Sequence, residues 1–142
     1  MAKKSFRCKL VTPAAALVDD QVKYASIPAW DGLMGVLPGR APILARLGMG
    51  ELRLDFADTE KGEGGTRSYL VEDGFIKMAN NQLTILAERA TPAENLTMAE
   101  AEAELAAAQN ATAKNAAELE KRNKDGQRAR VKMQMVRSRN GI

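Results

Sequence analysis

Phe75-Ile76-Lys77-Met78-Ala79-Asn80-Asn81-Gln82-Leu83-Thr84-Ile85-Leu86-Ala87-Glu88 is the stretch that decides the fold of this 142-residue chain. Two short apolar runs flank Ala79-Asn80-Asn81-Gln82. Asparagine tolerates the left-handed backbone that a tight hairpin needs, so the spacing predicts a β-hairpin of Phe75–Met78 against Leu83–Ala87. Working back from it, the same short alternations recur. Phe6, Cys8 and Leu10 alternate with Arg7 and Lys9, and Thr12-Pro13 ends that run. Val22 to Ile27 reads as a strand stopped by Pro28, and Gly35-Val36-Leu37 as a short one ended by Pro38-Gly39. Leu52, Leu54 and Phe56 alternate with Arg53 and Asp55, and Tyr69 to Val71 forms another run. The polar, Gly-rich segment 58–66 reads as an exposed turn. Many short strands at this spacing predict a sandwich or flattened barrel.

Forward of the hairpin the chain changes character at Pro92. Proline vanishes, and Ala, Glu, Lys and Arg dominate. Thr97 with Glu100 forms a capping box, and Asn115 with Glu118 a similar helix start. The first helix places Met98, Ala101, Leu105 and Ala108 on one face. The second places Leu119, Gly126, Ala129, Met133 and Val136 on one face, with Val131 and Met135 beside it. The two are joined through residues 110–114. Both faces are thin, and Gly126 costs its helix about 1 kcal/mol relative to alanine. The expected organisation is a β-domain over residues 1–92 and an antiparallel two-helix hairpin over residues 93–142.

Charge is divided along the same lines. Residues 1–92 carry 12 basic and 11 acidic side chains, and residues 93–112 carry four acids (Glu94, Glu100, Glu102, Glu104) and no base. Residues 113–142 carry 9 basic and 3 acidic side chains. A basic tail of this kind fits nucleic acid, an anionic membrane or an acidic protein groove. No aromatic is interleaved for base stacking, and beyond Leu119 the helix face lacks Trp, Phe and Leu anchors for a bilayer. An acidic protein surface is therefore the expected partner, with a nucleic-acid-binding module as the alternative. A third option is internal: Glu100, Glu102 and Glu104 can pair with the basic helix across the hairpin.

Catalytic and metal chemistry find little support. The chain has no histidine, the commonest general base and metal ligand. Its single cysteine, Cys8, sits at an alternating strand position and reads as a small core residue in a reducing, cytoplasmic setting. The stretch Gly32 to Pro42 lacks the Gly-Lys-Ser/Thr ending of a phosphate loop, and Pro38 and Pro42 each remove a backbone donor. Asp19-Asp20 and Glu72-Asp73 read as solvated acids at turns. No enzyme, no cofactor and no metal is expected. No run of about 18 apolar residues is present to span a membrane.

Several pieces, in order, carry a resemblance: Val11-Thr12-Pro13, Pro28 through Asp31-Gly32, Gly35-Val36-Leu37-Pro38-Gly39-Arg40-Ala41-Pro42, Gly50-Glu51-Leu52, Gly74-Phe75 and the stretch Asn80 to Glu88. They resemble the epsilon-subunit family of bacterial and plastid rotary (F-type) ATP synthases over almost the whole chain. The resemblance implies an N-terminal β-sandwich and a C-terminal helical hairpin in a non-catalytic subunit of the central stalk. It implies that the sandwich joins the foot of the gamma subunit to the ring of membrane c subunits. Trp30-Asp31-Gly32-Leu33-Met34 would then face the c-ring, and Arg40, where the family usually has His, would lie at the same interface. The hairpin would inhibit ATP hydrolysis by extending its basic helix to acidic segments of the β subunits, through Arg122, Arg128, Arg130 and Lys132. Membrane association, at the cytoplasmic face of the bacterial inner membrane, would be indirect. Many members bind ATP through Ile/Leu-Asp-x-x-Arg-Ala, and the aligned residues here are Leu96-Thr97-Met98-Ala99-Glu100-Ala101. Thr97 replaces the Asp and Glu100 replaces the Arg, so no ATP binding is expected: a carboxylate in place of a guanidinium repels a triphosphate.

Overall fold

The computed structural model describes residues 4–60, 62 and 64–139. Seven strands come first: β1 (Phe6–Val11), β2 (Ala16–Ala29), β3 (Gly32–Val36), β4 (Ile43–Leu47), β5 (Gly50–Phe56), β6 (Thr66–Ala79) and β7 (Gln82–Pro92). A 3-10 turn at Ala93–Asn95 leads into two helices, α1 (Met98–Asn110) and α2 (Ala116–Arg139). The chain divides into two compact units, Met1–Thr91 and Pro92–Ile142.

In the first unit the strand order is β1-β7-β6-β4-β2-β3; β1 also pairs with β2, and β5 bridges β2 and β6. The two longest strands serve both layers of the sandwich. β6 pairs with β5 over Thr66–Val71 and with β4 over Gly74–Met78. Between these stretches it turns through Asp73 (φ 51°) and Gly74 (φ 134°). A side chain at Gly74 would strike the backbone carbonyl of Leu86, so only glycine fits there. β2 likewise pairs first with β1 and then with β3 and β5, with a register shift between Val22 and Tyr24. The inward faces bury Phe6, Leu10, Ile27, Leu52, Leu54, Ile76, Met78, Leu83 and Ile85 almost completely.

The Asn80-Asn81 hairpin forms as the sequence predicts, with φ of 53° and 61° at its two central residues. Elsewhere the predicted strands are too short. Tyr69–Val71 and Phe75–Met78 belong to one strand, because the left-handed pair at Asp73 and Gly74 bends β6 without breaking it. Pro28 does not end β2: its carbonyl accepts the Gly48 N–H at 2.7 Å, and the missing donor forfeits one ladder bond. β3 begins at Gly32 and ends at Val36 instead of covering residues 35–37. β4 escaped the sequence reading because its alternation is only five residues long, between Pro42 and Gly48.

In the second unit, the Thr97 hydroxyl accepts the Glu100 N–H at 3.2 Å, capping α1. Asn115 Oδ1 accepts the Glu118 N–H at 2.9 Å, and the Glu118 carboxylate accepts the Lys114 N–H at 2.7 Å. The helices bury Ala101 and Ala108 on α1, with Gly126 and Ala129 and the larger Met135 and Val136 on α2. Leu119 departs from the predicted face and is 46% exposed. It lies within one turn of the start of α2, where the linking segment has not yet brought α1 alongside.

Candidate protein-interaction site

The tip of the β2–β3 hairpin is a two-residue loop, Trp30-Asp31, closed by Ala29 opposite Gly32. The Trp30 N–H donates to the Arg46 carbonyl at 3.1 Å, and Gly32 supplies φ 134°. The tip is thus held by backbone on two sides. Its large apolar side chains nevertheless stand in water, with Trp30 69% and Leu33 76% exposed. Asp31 and Gly32 are exposed too, while Met34 is half-buried against the core. An exposed Trp beside an exposed Leu on a rigid hairpin is the usual make-up of a protein-binding anchor.

Arg40 does not join this group. β4 runs from Ile43, opposite Met78, to Leu47, opposite Gly74 and Ala29. Trp30 therefore sits at the Leu47 end, and Arg40, which precedes β4, at the other. There Leu37-Pro38-Gly39-Arg40 forms a turn with the Arg40 N–H on the Leu37 carbonyl (3.3 Å) and Gly39 at φ 79°. Asn81 fastens the turn: its side-chain carbonyl accepts the Gly39 N–H at 2.8 Å and its amide donates to the Ser5 carbonyl at 2.9 Å. Arg40 is exposed on this anchored turn.

A second apolar surface was not found from sequence. Leu44 on β4, Phe75 on β6 and Leu86 on β7 are 73%, 54% and 50% exposed. Phe75 and Leu86 border a groove of about 380 Å³ lined also by Val11, Pro13 and Gly74. The signal lay in strand parity: Phe75 shares its face with Lys77, Leu86 with Thr84 and Glu88, and Leu44 with Arg46.

On the helices, three of the four predicted contact cations are already engaged. Arg122 donates to the Ala108 carbonyl (3.0 Å) and the Gln109 carbonyl (3.2 Å) at the end of α1. Lys132 pairs with Glu104 at 2.6 Å, and Arg128 with Asp125 at 2.9 Å. Arg130 is exposed. The Asp125 carboxyl is held below the usual carboxylate range, first by the hydrogen bond from Arg128 and then by that from Lys121. Glu100 is exposed in the first turn of α1, beside the Thr97 cap.

The paired acids differ from expectation in two ways: Asp19 and Asp20 are not at a turn but within β2, where Asp19 meets Arg7 at 2.7 Å, and Glu72, at the bend of β6, is buried and not solvated. Cys8 is buried, and that burial pushes its thiol up to about 12, which leaves it un-ionised and unreactive at neutral pH. Among the described residues no group of three or more Cys, Asp or Glu is arranged to hold a metal, and no helix is long and apolar enough to cross a membrane.

The family model for the β-sandwich domain of ATP synthase delta/epsilon chains matches residues 5–93. The ATP synthase epsilon chain of Rhodopirellula baltica is 36% identical over 104 residues, 73% of this chain and 77% of that one. That of Pelotomaculum thermopropionicum is 34% identical over 72% of each chain, and that of Bacillus subtilis 34% identical over 70% and 71%. Among solved structures, a chain of the Euglena gracilis mitochondrial ATP synthase (OSCP/F1/c-ring) has a TM-score of 0.75 at 19% identity, covering 97% of this chain and 82% of its own. One from the central stalk and c-ring of the Tetrahymena thermophila mitochondrial enzyme has a TM-score of 0.64 at 13% identity, covering 96% and 99%. At such low identity these two speak for the fold alone. The sequence matches go further, because they run through the strands and turns that build the exposed tip: this chain belongs to the epsilon-chain family of F-type ATP synthases, a family of non-catalytic subunits.

Proposed function

We propose that the chain is a central-stalk rotor subunit of a bacterial proton-translocating ATP synthase. In this reading residues 1–92 join the gamma subunit to the c-ring, and residues 93–142 restrain ATP hydrolysis. The observation that carries it is the pair of exposed apolar surfaces on so small a β-domain: the Trp30–Leu33 tip and the Leu44, Phe75 and Leu86 face. A monomer that kept both in water would be prone to aggregate, whereas a coupling subunit needs two partners. Trp30, Asp31, Gly32, Leu33 and Met34 supply the c-ring contact. Arg40, at the other end of β4, serves a separate contact with the stalk. The subunit reaches the cytoplasmic face of the inner membrane only through the complex.

Arg122, Arg128, Arg130 and Lys132 would meet acidic segments of the β subunits when α2 is extended. No nucleotide site is assigned at the start of α1. Thr97 is occupied as a cap, and Glu100 presents negative charge where a triphosphate would need a cation. Calorimetry giving a sub-millimolar ATP affinity for the isolated chain would overturn that assignment.

Mixing the purified chain with gamma and, separately, with duplex DNA at physiological salt tests the main proposal. A stable gamma complex without DNA retention supports it. DNA retention without gamma binding would favour a nucleic-acid module instead. Deleting residues 93–142 and measuring ATP hydrolysis of the assembled enzyme tests the restraint separately, and unchanged hydrolysis would remove it while leaving the coupling role.

A further inference from the structure

We propose that the closed helical hairpin is latched by its own charges, so that ionic strength, and not a bound nucleotide, sets how often it opens. Two contacts form the latch, and on α2 they flank Gly126, which packs on Ala108: a Cβ built on Gly126 would lie 3.8 Å from the Ala108 Cβ. Residues this small bury little apolar area, so packing there contributes little to closure. Farther along α2, Arg139 also donates to the Ala93 carbonyl, outside the latch.

The first contact is Lys132 with Glu104, 2.6 Å apart and 28 residues apart in sequence. The Lys132 side chain is only 17% exposed and Glu104 39%. The Glu104 carboxylate is partly open to solvent, so dissolved ions reach the pair and can weaken it. The second contact is Arg122 on the Ala108 and Gln109 carbonyls. The last four carbonyls of a helix lack partners within it and carry the negative end of its dipole, so a guanidinium there satisfies both needs. When the hairpin opens, Arg122 and Lys132 lose these acceptors and become available to an outside acid.

The regulatory consequence rests on reading α2 as the inhibitory helix: two of the four cations that would grip the acidic partner, Arg122 and Lys132, are those that hold the hairpin shut. Closure and inhibition then compete for the same side chains. Glu104 separates the two roles, because it belongs to the latch and is not among the proposed partner contacts.

The test uses the full chain with spin labels at Ala103→Cys and Gln134→Cys, both exposed positions, one on each helix. Buried Cys8 stays unlabelled. Pulsed dipolar distances should show mainly one short population at low salt. Glu104→Gln, which keeps helix propensity, should raise the long-distance population roughly fivefold, the factor expected for loss of one ion pair worth about 1 kcal/mol. Raising salt from about 0.01 M to about 1 M, which shortens the screening length from about 30 Å to about 3 Å, should do the same in the parent chain. Millimolar ATP should change neither distribution. An unchanged distribution in Glu104→Gln, or closure driven by ATP, overturns the latch. In the assembled enzyme Glu104→Gln should deepen inhibition of hydrolysis. If the hairpin opens in the free chain but hydrolysis stays the same, the latch stands and the inhibitory reading of α2 falls.

Discussion

Single atoms decide several features of this protein. At Gly74 the backbone takes φ 134° and a Cβ would collide with the Leu86 carbonyl. The Gly74→Ala variant combines a disfavoured conformation with a backbone clash that no rotamer change relieves. It should lose on the order of 3 kcal/mol or more of stability by denaturant unfolding. Asn81 shows how much one turn residue does: it takes the left-handed conformation, closes a hairpin and fastens the turn before Arg40. Its φ was legible in the sequence because Asn-Asn between apolar runs is a hairpin signal. Its bond to Gly39, 42 residues away, was not.

At the scale of the element, the helices are where marginal stability should show. Gly126 lies in the middle of α2, and a Cβ there would meet only Arg130 at 3.5 Å and Ala108 at 3.8 Å, ordinary contact distances. Gly126→Ala should therefore stabilise the helical unit by about 1 kcal/mol, read as a higher helix melting temperature by circular dichroism. Acid should act the other way. The Asp125 carboxyl has a folded pKa below its unfolded value of about 3.9, so its pairing with Arg128 and Lys121 stabilises the helix above that pH. The contribution is lost as pH falls through the depressed folded value. Helix melting should be flat with respect to this group from about pH 7 to about pH 5 and drop below about pH 4, and Asp125→Asn should remove part of the drop. Both helix starts were legible, since Thr97 and Asn115 declare themselves by residue type and spacing. The place of Leu119 was not, because periodicity says which residues share a face but not how far along the helix that face is covered.

For the whole molecule, the surface matters more than the core. A double Trp30→Ser, Leu33→Ser variant removes apolar side chains that are 69% and 76% exposed, so folding should change by under about 0.5 kcal/mol. Association with the membrane sector should fall at least tenfold if the tip is its anchor, measured by co-sedimentation of reconstituted rotor. Loss of association through unfolding would be visible as a shifted melting curve, which separates the two causes. Strand pairing of β1 with β7 in parallel, across the 75 residues that separate Arg7 from its partner Gln82, could not be read locally. It places Val11 opposite Leu86 and so builds the apolar groove from distant segments.

The exposed tip and the hairpin chemistry trace back to separate sources. By itself the sequence determined what depends on neighbours in the chain: strand alternation, the Asn80-Asn81 turn, the helix caps and the break in composition at Pro92. It also carried family membership, because the turn motifs of the β-domain are contiguous words. Only the tertiary structure decided that β2 and β6 each serve two layers, that Arg40 and Trp30 stand at opposite ends of β4, and that Arg122 and Lys132 are held by α1. The physical reason is range. Caps and turns are settled by backbone bonds a few residues apart, whereas these arrangements follow from packing and pairing between segments whose approach no local pattern records.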